Sequence, residues 1–233
     1  MKYRIGIKAA VFLACLIPFG QLVFDAVTDN LGVNPVETVT RATGSWTLLL
    51  LLVTLGVTPL RKIAGWHWLI KLRRMLGLFA FFYACLHFTT YIWIDQFFDL
   101  QEISKDIIKR PFITAGFMSF VLLIPLALTS TNAMIRRLGK RWQKLHRLVY
   151  LTAVGGVVHF LWLVKADIRR PSLYGAALAA LLAYRLFAYL QARVGAREAR
   201  RGVLVSSRQG QGFQRPRPPG ERTIPVASPE TLG

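Results

Sequence analysis

Six apolar runs, at about residues 9–26, 44–60, 75–94, 112–130, 148–164 and 171–190, are each long enough to cross a bilayer, and nothing else in this chain constrains its fold as much. Hydrocarbon offers no water to bond backbone amides, so a span must pair them internally, and a helix needs roughly 20 mostly apolar residues to do so. With 54% hydrophobic residues and a mean hydropathy of +0.41, the 233-residue chain reads as an all-α polytopic membrane protein of six transmembrane helices rather than a soluble domain. Lys2, Arg4 and Lys8 precede the first run as in a signal peptide. Pro18-Phe19-Gly20-Gln21 offers no small-x-small cleavage site, so a retained helix is expected.

A net charge of +19 would suit nucleic acid if it lay on one soluble face, but the basic residues are distributed differently. Of the 30, 22 lie before the first run, between the second and third, between the fourth and fifth, or after the sixth. Seven lie in the alternate segments, and Arg185 lies within the last run. Eight of the 11 acids (Asp25, Asp29, Glu37, Asp95, Asp99, Glu102, Asp106 and Asp167) share those alternate segments. The positive-inside rule then puts both termini in the cytoplasm, with membrane lipid as the basic residues' partner and no nucleic acid. Residues 1–192 read as the six-helix domain. Residues 193–233, rich in Arg, Gly, Pro and Ser, lack the apolar content for a core and read as a disordered basic cytoplasmic tail. No glycine-rich fingerprint of a nucleotide-binding domain is present, so any electrons this chain moves are expected from another molecule. Cys15 and Cys85 read as small buried apolar residues rather than a disulfide.

His87, His146 and His159 sit in apolar stretches with no acid beside them. An ionisable group in the membrane is costly enough to be read as functional by default, and neutral imidazole is a common ligand of haem iron. The third and fifth runs cross in the same direction, so heights along them compare directly. His87 precedes Ile94 by seven residues and His159 precedes Val164 by five, which puts both about 8–11 Å inside the outer end. Gly155 and Gly156 near His159, and Ala84, Ala80 and Gly77 below His87, are small enough to admit a macrocycle. His87 and His159 are therefore candidate metal ligands at one depth.

His146 lies thirteen residues before His159, about 20 Å lower at helical rise, and Arg74 stands at the matching place below His87. The inner end thus carries half a histidine pair. An iron near the outer face leaves around 20 Å to the cytosol, so a second carrier at the height of His146 is expected. That carrier is either a haem with His146 as metal ligand or a flavin whose phosphate meets Arg73, Arg74, Arg141, Lys144 or Arg147. His67, between Trp66 and Trp68, reads as part of an interfacial aromatic belt, and Arg185 as a side chain that snorkels to the inner surface. A histidine proton-relay transporter would show internal repeats or broken helices, and no repeat is evident in the sequence.

The segments FFYACLHFTTY, GKRWQKLHRLVYL and VGGVVHFLW resemble the MsrQ (YedZ) family, haem-binding subunits of bacterial MsrPQ methionine sulfoxide reductase systems among the ferric-reductase-like transmembrane proteins. The similarity covers roughly residues 5–195. It implies a b-type haem, an association with FMN, and a place in the bacterial inner membrane. It also implies electron flow from a cytosolic flavin reductase or the quinone pool to a periplasmic molybdopterin-containing catalytic subunit (MsrP-like) that repairs oxidised methionines. His87, His146 and His159 match the family's histidines. Oxidase relatives carry two histidines on both helices, so Arg74 leaves the inner haem open. The alternative is a stand-alone transmembrane ferric or quinone reductase.

Overall fold

The computed structural model describes residues 2–164 and 167–210. Its elements are α1 (Lys2–Val27), α2 (Pro35–Ala64), α3 (Ile70–Thr89), α4 (Leu100–Lys109), α5 (Pro111–Leu128), α6 (Asn132–Leu138), α7 (Lys140–Leu145), α8 (Leu148–Leu163) and α9 (Arg169–Gly210). A 3-10 turn, His67–Leu69, leads into α3, and a π-helical turn, Thr90–Asp95, leaves it. Six stretches are long and apolar enough to span a membrane: Ile5–Val27, Pro35–Ala64, His67–Ile94, Pro111–Leu128, Lys140–Leu163 and Arg169–Arg197. The chain is an all-α polytopic membrane protein, and the six runs correspond to these stretches one for one.

The boundaries follow from local chemistry. Asn34 caps α2 by accepting the Glu37 N–H at 3.2 Å, Pro35 occupies the first turn where no amide donor is missed, and Gly65 ends the helix at φ 70°. Asp99 caps α4 through the N–H groups of Gln101 and Glu102. Asp106, buried on α4, pairs with Arg110 at 3.1 Å and accepts from Tyr91 at 3.4 Å.

By internal packing the chain divides into Met1–Arg185 and Leu186–Gly233. In the first unit the closest helix pairs are α2 with α3 and α5 with α8. Leu55, Ala80, Tyr83, Thr152 and Ala153 are fully enclosed, while Phe12, Leu13, Ile17, Leu151 and Val154 face outward, as lipid-facing helix surfaces do. Cys15 and Cys85 are free thiols.

Two prolines organise contacts between helices. Pro18 interrupts α1, and the Tyr83 hydroxyl of α3 enters the opened ladder there. It accepts the Phe19 N–H at 3.1 Å and donates to the Cys15 carbonyl at 2.7 Å, the two groups that would otherwise bond each other. Pro59 has no N–H to give Leu55, four residues earlier, and Arg185 of α9 donates Nη2 to that freed carbonyl at 2.7 Å. The Arg185 guanidinium also bonds the Tyr150 hydroxyl and lies over the Tyr150 ring, 4.8 Å from its centre. This corrects the reading of Arg185 as snorkelling to the surface, because an orphaned carbonyl offers it a partner inside the bundle. α9 runs on to Gly210, through the first part of the segment read as a tail, and no proline interrupts the chain there before Pro216. The rest of that segment, residues 211–233, lies outside the described residues.

Candidate functional site

His87 stands in the last turn of α3 and His159 near the end of α8, and their rings face each other with centroids 6.2 Å apart and planes at 77°. The depth equality expected from the sequence brings them together. Each ring is fixed the same way. The Nδ1 of His87 donates to the Thr40 carbonyl of α2 at 2.9 Å, and the Nδ1 of His159 donates to the Phe112 carbonyl of α5 at 2.6 Å. A carbonyl can only accept, so each neutral ring carries its proton on Nδ1 and keeps the lone pair on Nε2.

Both carbonyls lie inside helices, where a side chain four residues on normally covers the second lone pair. Here that residue is glycine in both cases. A Cβ on Gly44 would lie 3.0 Å from Cε1 of His87, and one on Gly116 would lie 2.7 Å from Nδ1 of His159. Missing side chains thus admit the imidazoles to the backbone. The sequence reading overlooked these glycines, although each precedes its histidine by the same 43 residues.

That shared spacing belongs to a larger correspondence. Thr40 and Phe112, Gly44 and Gly116, and His87 and His159 are each 72 residues apart, as are Thr47 and Ser119, whose hydroxyls both bond the carbonyl four residues back. The pairs α2/α3 and α5/α8 therefore repeat one arrangement, which corrects the expectation of no internal repeat. Few side chains coincide between the copies, so the repeat shows in backbone contacts. The small residues near the histidines also have another task. A Cβ on Gly155 would come within 2.2 Å of the Ser119 hydroxyl, one on Gly77 would lie 3.8 Å from Thr54, and Ala80 and Ala84 are buried. They permit close helix packing rather than opening a slot.

The other end of the repeat differs. His146 lies in the turn between α7 and α8, stacked on Trp142 at 3.9 Å, with Nδ1 3.2 Å from the Trp142 carbonyl and Nε2 3.4 Å from the Ser130 hydroxyl. Ser130 gives its own proton to the Leu126 carbonyl at 2.6 Å. Arg74 donates to Asn132, and Arg141 and Lys144 are exposed on α7. Among the described residues no hydrogen bond joins His146, Arg74, Arg141 and Lys144 to one another. His67 is exposed beside the stacked Trp66 and Trp68. Trp93 and Trp162 are exposed near the His87 and His159 end, and Tyr91 is held by Asp106.

The opposed pair has the chemistry of an axial donor set. An imidazole nitrogen sits about 2 Å from a first-row metal ion, and its ring centre roughly 1 Å farther, so two imidazoles on one ion place their centres about 6 Å apart. The observed 6.2 Å agrees. Donation of Nδ1–H to a carbonyl is also the usual arrangement behind a metal-bound histidine. His87 and His159 have the donor chemistry and spacing that would hold a haem iron.

Residues 41–157 match the family described as "Ferric reductase like transmembrane component". A protein of Herminiimonas arsenicoxydans is 59% identical over 184 residues, which is 78% of this chain and 84% of that one. Relatives from Azospira oryzae (56% identical, 78% of each chain) and Ralstonia nicotianae (54%, 78% of this chain and 85% of the other) are similar. All three are named "Protein-methionine-sulfoxide reductase heme-binding subunit MsrQ". No solved structure matches.

Proposed function

The chain belongs to the family of ferric reductase like transmembrane components, and we propose that it is the haem b-binding electron-transfer subunit of a methionine sulfoxide reductase system in a bacterial inner membrane. The observation that carries this reading is the opposed histidine pair, 6.2 Å between centroids, with both Nδ1 atoms committed to backbone carbonyls. When bound there, haem b supplies a one-electron Fe(III)/Fe(II) couple. The chain's own residues do the rest. His87 and His159 present Nε2. Thr40 and Phe112 fix the tautomer and make each imidazole a stronger donor, and Gly44 and Gly116 let them reach. Ala84, Val157 and Leu48, on the histidines' own helices or on α2, are buried in the bundle.

The charge pattern supports cytoplasmic termini, with the His146 end inward and the histidine pair near the periplasm. At the inner end Arg141 and Lys144 offer cations to the phosphate of FMN, beside His146, while Arg74 is turned to Asn132. Electrons enter there from a cytosolic flavin reductase or the quinone pool and leave to a periplasmic molybdopterin-containing, MsrP-like subunit that reduces oxidised methionine. The names of the relatives support that assignment.

Optical spectroscopy of purified protein with a pyridine haemochrome assay tests the reading. His87→Ala and His159→Ala should each abolish the low-spin haem spectrum, while His146→Ala should keep it and slow its reduction by reduced flavin. A normal spectrum in either of the first two variants removes the proposed pairing.

A further inference from the structure

A cleft of about 570 Å³ between α1 and α3 takes no part in the site above. Three cations line it: Lys8, Lys71 and Arg74. No acid lines it, and the described ion pairs (Arg41–Glu37, Lys105–Glu102, Arg110–Asp106) engage none of the three. The remaining wall is apolar, with Phe12 and Leu16 from α1 facing Phe79 and Phe82 from α3.

The two helices run parallel here, since Phe12 meets Phe79 at 5.1 Å and Phe19 meets Phe82 at 5.4 Å. The cations therefore share one end of the groove. From Lys8 to Leu16 is about 12 Å at helical rise, and from Lys71 to Phe82 about 16 Å. One leaflet of hydrocarbon is about 15 Å deep. Charge at the mouth and an apolar channel one leaflet deep make the pattern of an anionic amphiphile.

We propose that this cleft binds one anionic phospholipid, its phosphate on Lys8, Lys71 and Arg74 and an acyl chain along Phe12, Leu16, Phe79 and Phe82. A flavin fits the lining less well. Its ring edge and ribityl hydroxyls need hydrogen-bonding partners, and no serine, threonine, asparagine or glutamine lines the cleft. The proposal does not depend on the haem reading.

The test uses delipidated full-length protein in mild detergent, titrated with phosphatidylglycerol or phosphatidylcholine and read by native mass spectrometry. One phosphatidylglycerol should bind more tightly than phosphatidylcholine. Lys8→Gln should weaken it about fivefold, and Lys8→Gln with Lys71→Gln about 25-fold, at roughly a factor of five per surface cation. The double Lys→Arg variant should retain binding, and phosphatidylcholine affinity should be unchanged in every variant, which reports an intact fold. Equal affinity for the two lipids, or unchanged phosphatidylglycerol affinity in the double Gln variant, overturns the proposal. Displacement of phosphatidylglycerol by inorganic phosphate or by FMN at comparable concentration also overturns it, assigning the cleft to a soluble anion.

Discussion

The two ends of the repeated helix pairs are built on one plan and equipped differently. At one end both copies carry histidine, and both histidines are held by a carbonyl exposed by glycine. At the other end the copies diverge. His146 faces Ser130, whereas the matching positions hold Arg74, which turns to Asn132, and Thr58, whose buried hydroxyl has no partner among the described residues. The difference teaches that a histidine at the right height does not make a ligand pair. What distinguishes the end with His87 and His159 is the anchoring of each ring through Nδ1 to a carbonyl of a neighbouring helix, which leaves Nε2 as the atom with the lone pair. His146 takes its backbone contact from its own turn, meets the Ser130 hydroxyl rather than a carbonyl of a neighbouring helix, and stacks on Trp142.

If anchoring is the decisive element, removing the glycines should undo the His87–His159 end without touching either histidine. Gly116→Ala sets a methyl 2.7 Å from Nδ1 of His159, a distance real side chains do not adopt, so the ring must leave the Phe112 carbonyl. Loss of such a supporting bond typically weakens metal affinity about 10–100-fold. Gly44→Ala, at 3.0 Å from His87, should fall near the lower end of that range. Haem retention during dialysis against apomyoglobin measures both. Equal retention in wild type and Gly116→Ala would break the comparison.

The fold was largely legible because the membrane sorts residues so strictly: apolar length located six spans, and parallel crossing let simple rise arithmetic place His87 level with His159. The anchors were not legible for a physical reason. Thr40 and Phe112 act through backbone carbonyls, which every residue has, and the glycines that expose them sit on other helices 43 residues away. Arg185 was misread because its partner is the carbonyl orphaned by Pro59, and no local pattern links those two positions. The small residues were read as room for a cofactor when their neighbours show helix packing, since sequence alone does not say which face of a glycine is occupied.

The same logic of orphaned carbonyls predicts an effect between the two ends. Arg185→Leu would leave the Leu55 carbonyl without its donor and the Tyr150 hydroxyl without the guanidinium, while adding apolar surface in exchange. An unsatisfied buried acceptor costs about 1–3 kcal/mol, so thermal unfolding in detergent should shift downward. His87 and His159 do not touch this cluster, so the haem spectrum should stay unchanged in shape. A changed spectrum would mean that the ends are coupled through α2.

The smallest expected effect is the most discriminating. Arg74→His restores a histidine at the place matched to His146 by the 72-residue repeat, so position alone would create a second pair and raise haem per protein. The structure argues for no change. Position 74 is exposed and its present partner is the Asn132 side chain. His146 would also have to leave Trp142 and give up its contact with Ser130. Pyridine haemochrome per mole of protein should therefore match wild type in this variant. A gain of one haem would show that depth is sufficient, and that the anchoring seen at His87 and His159 tunes a site rather than creating it.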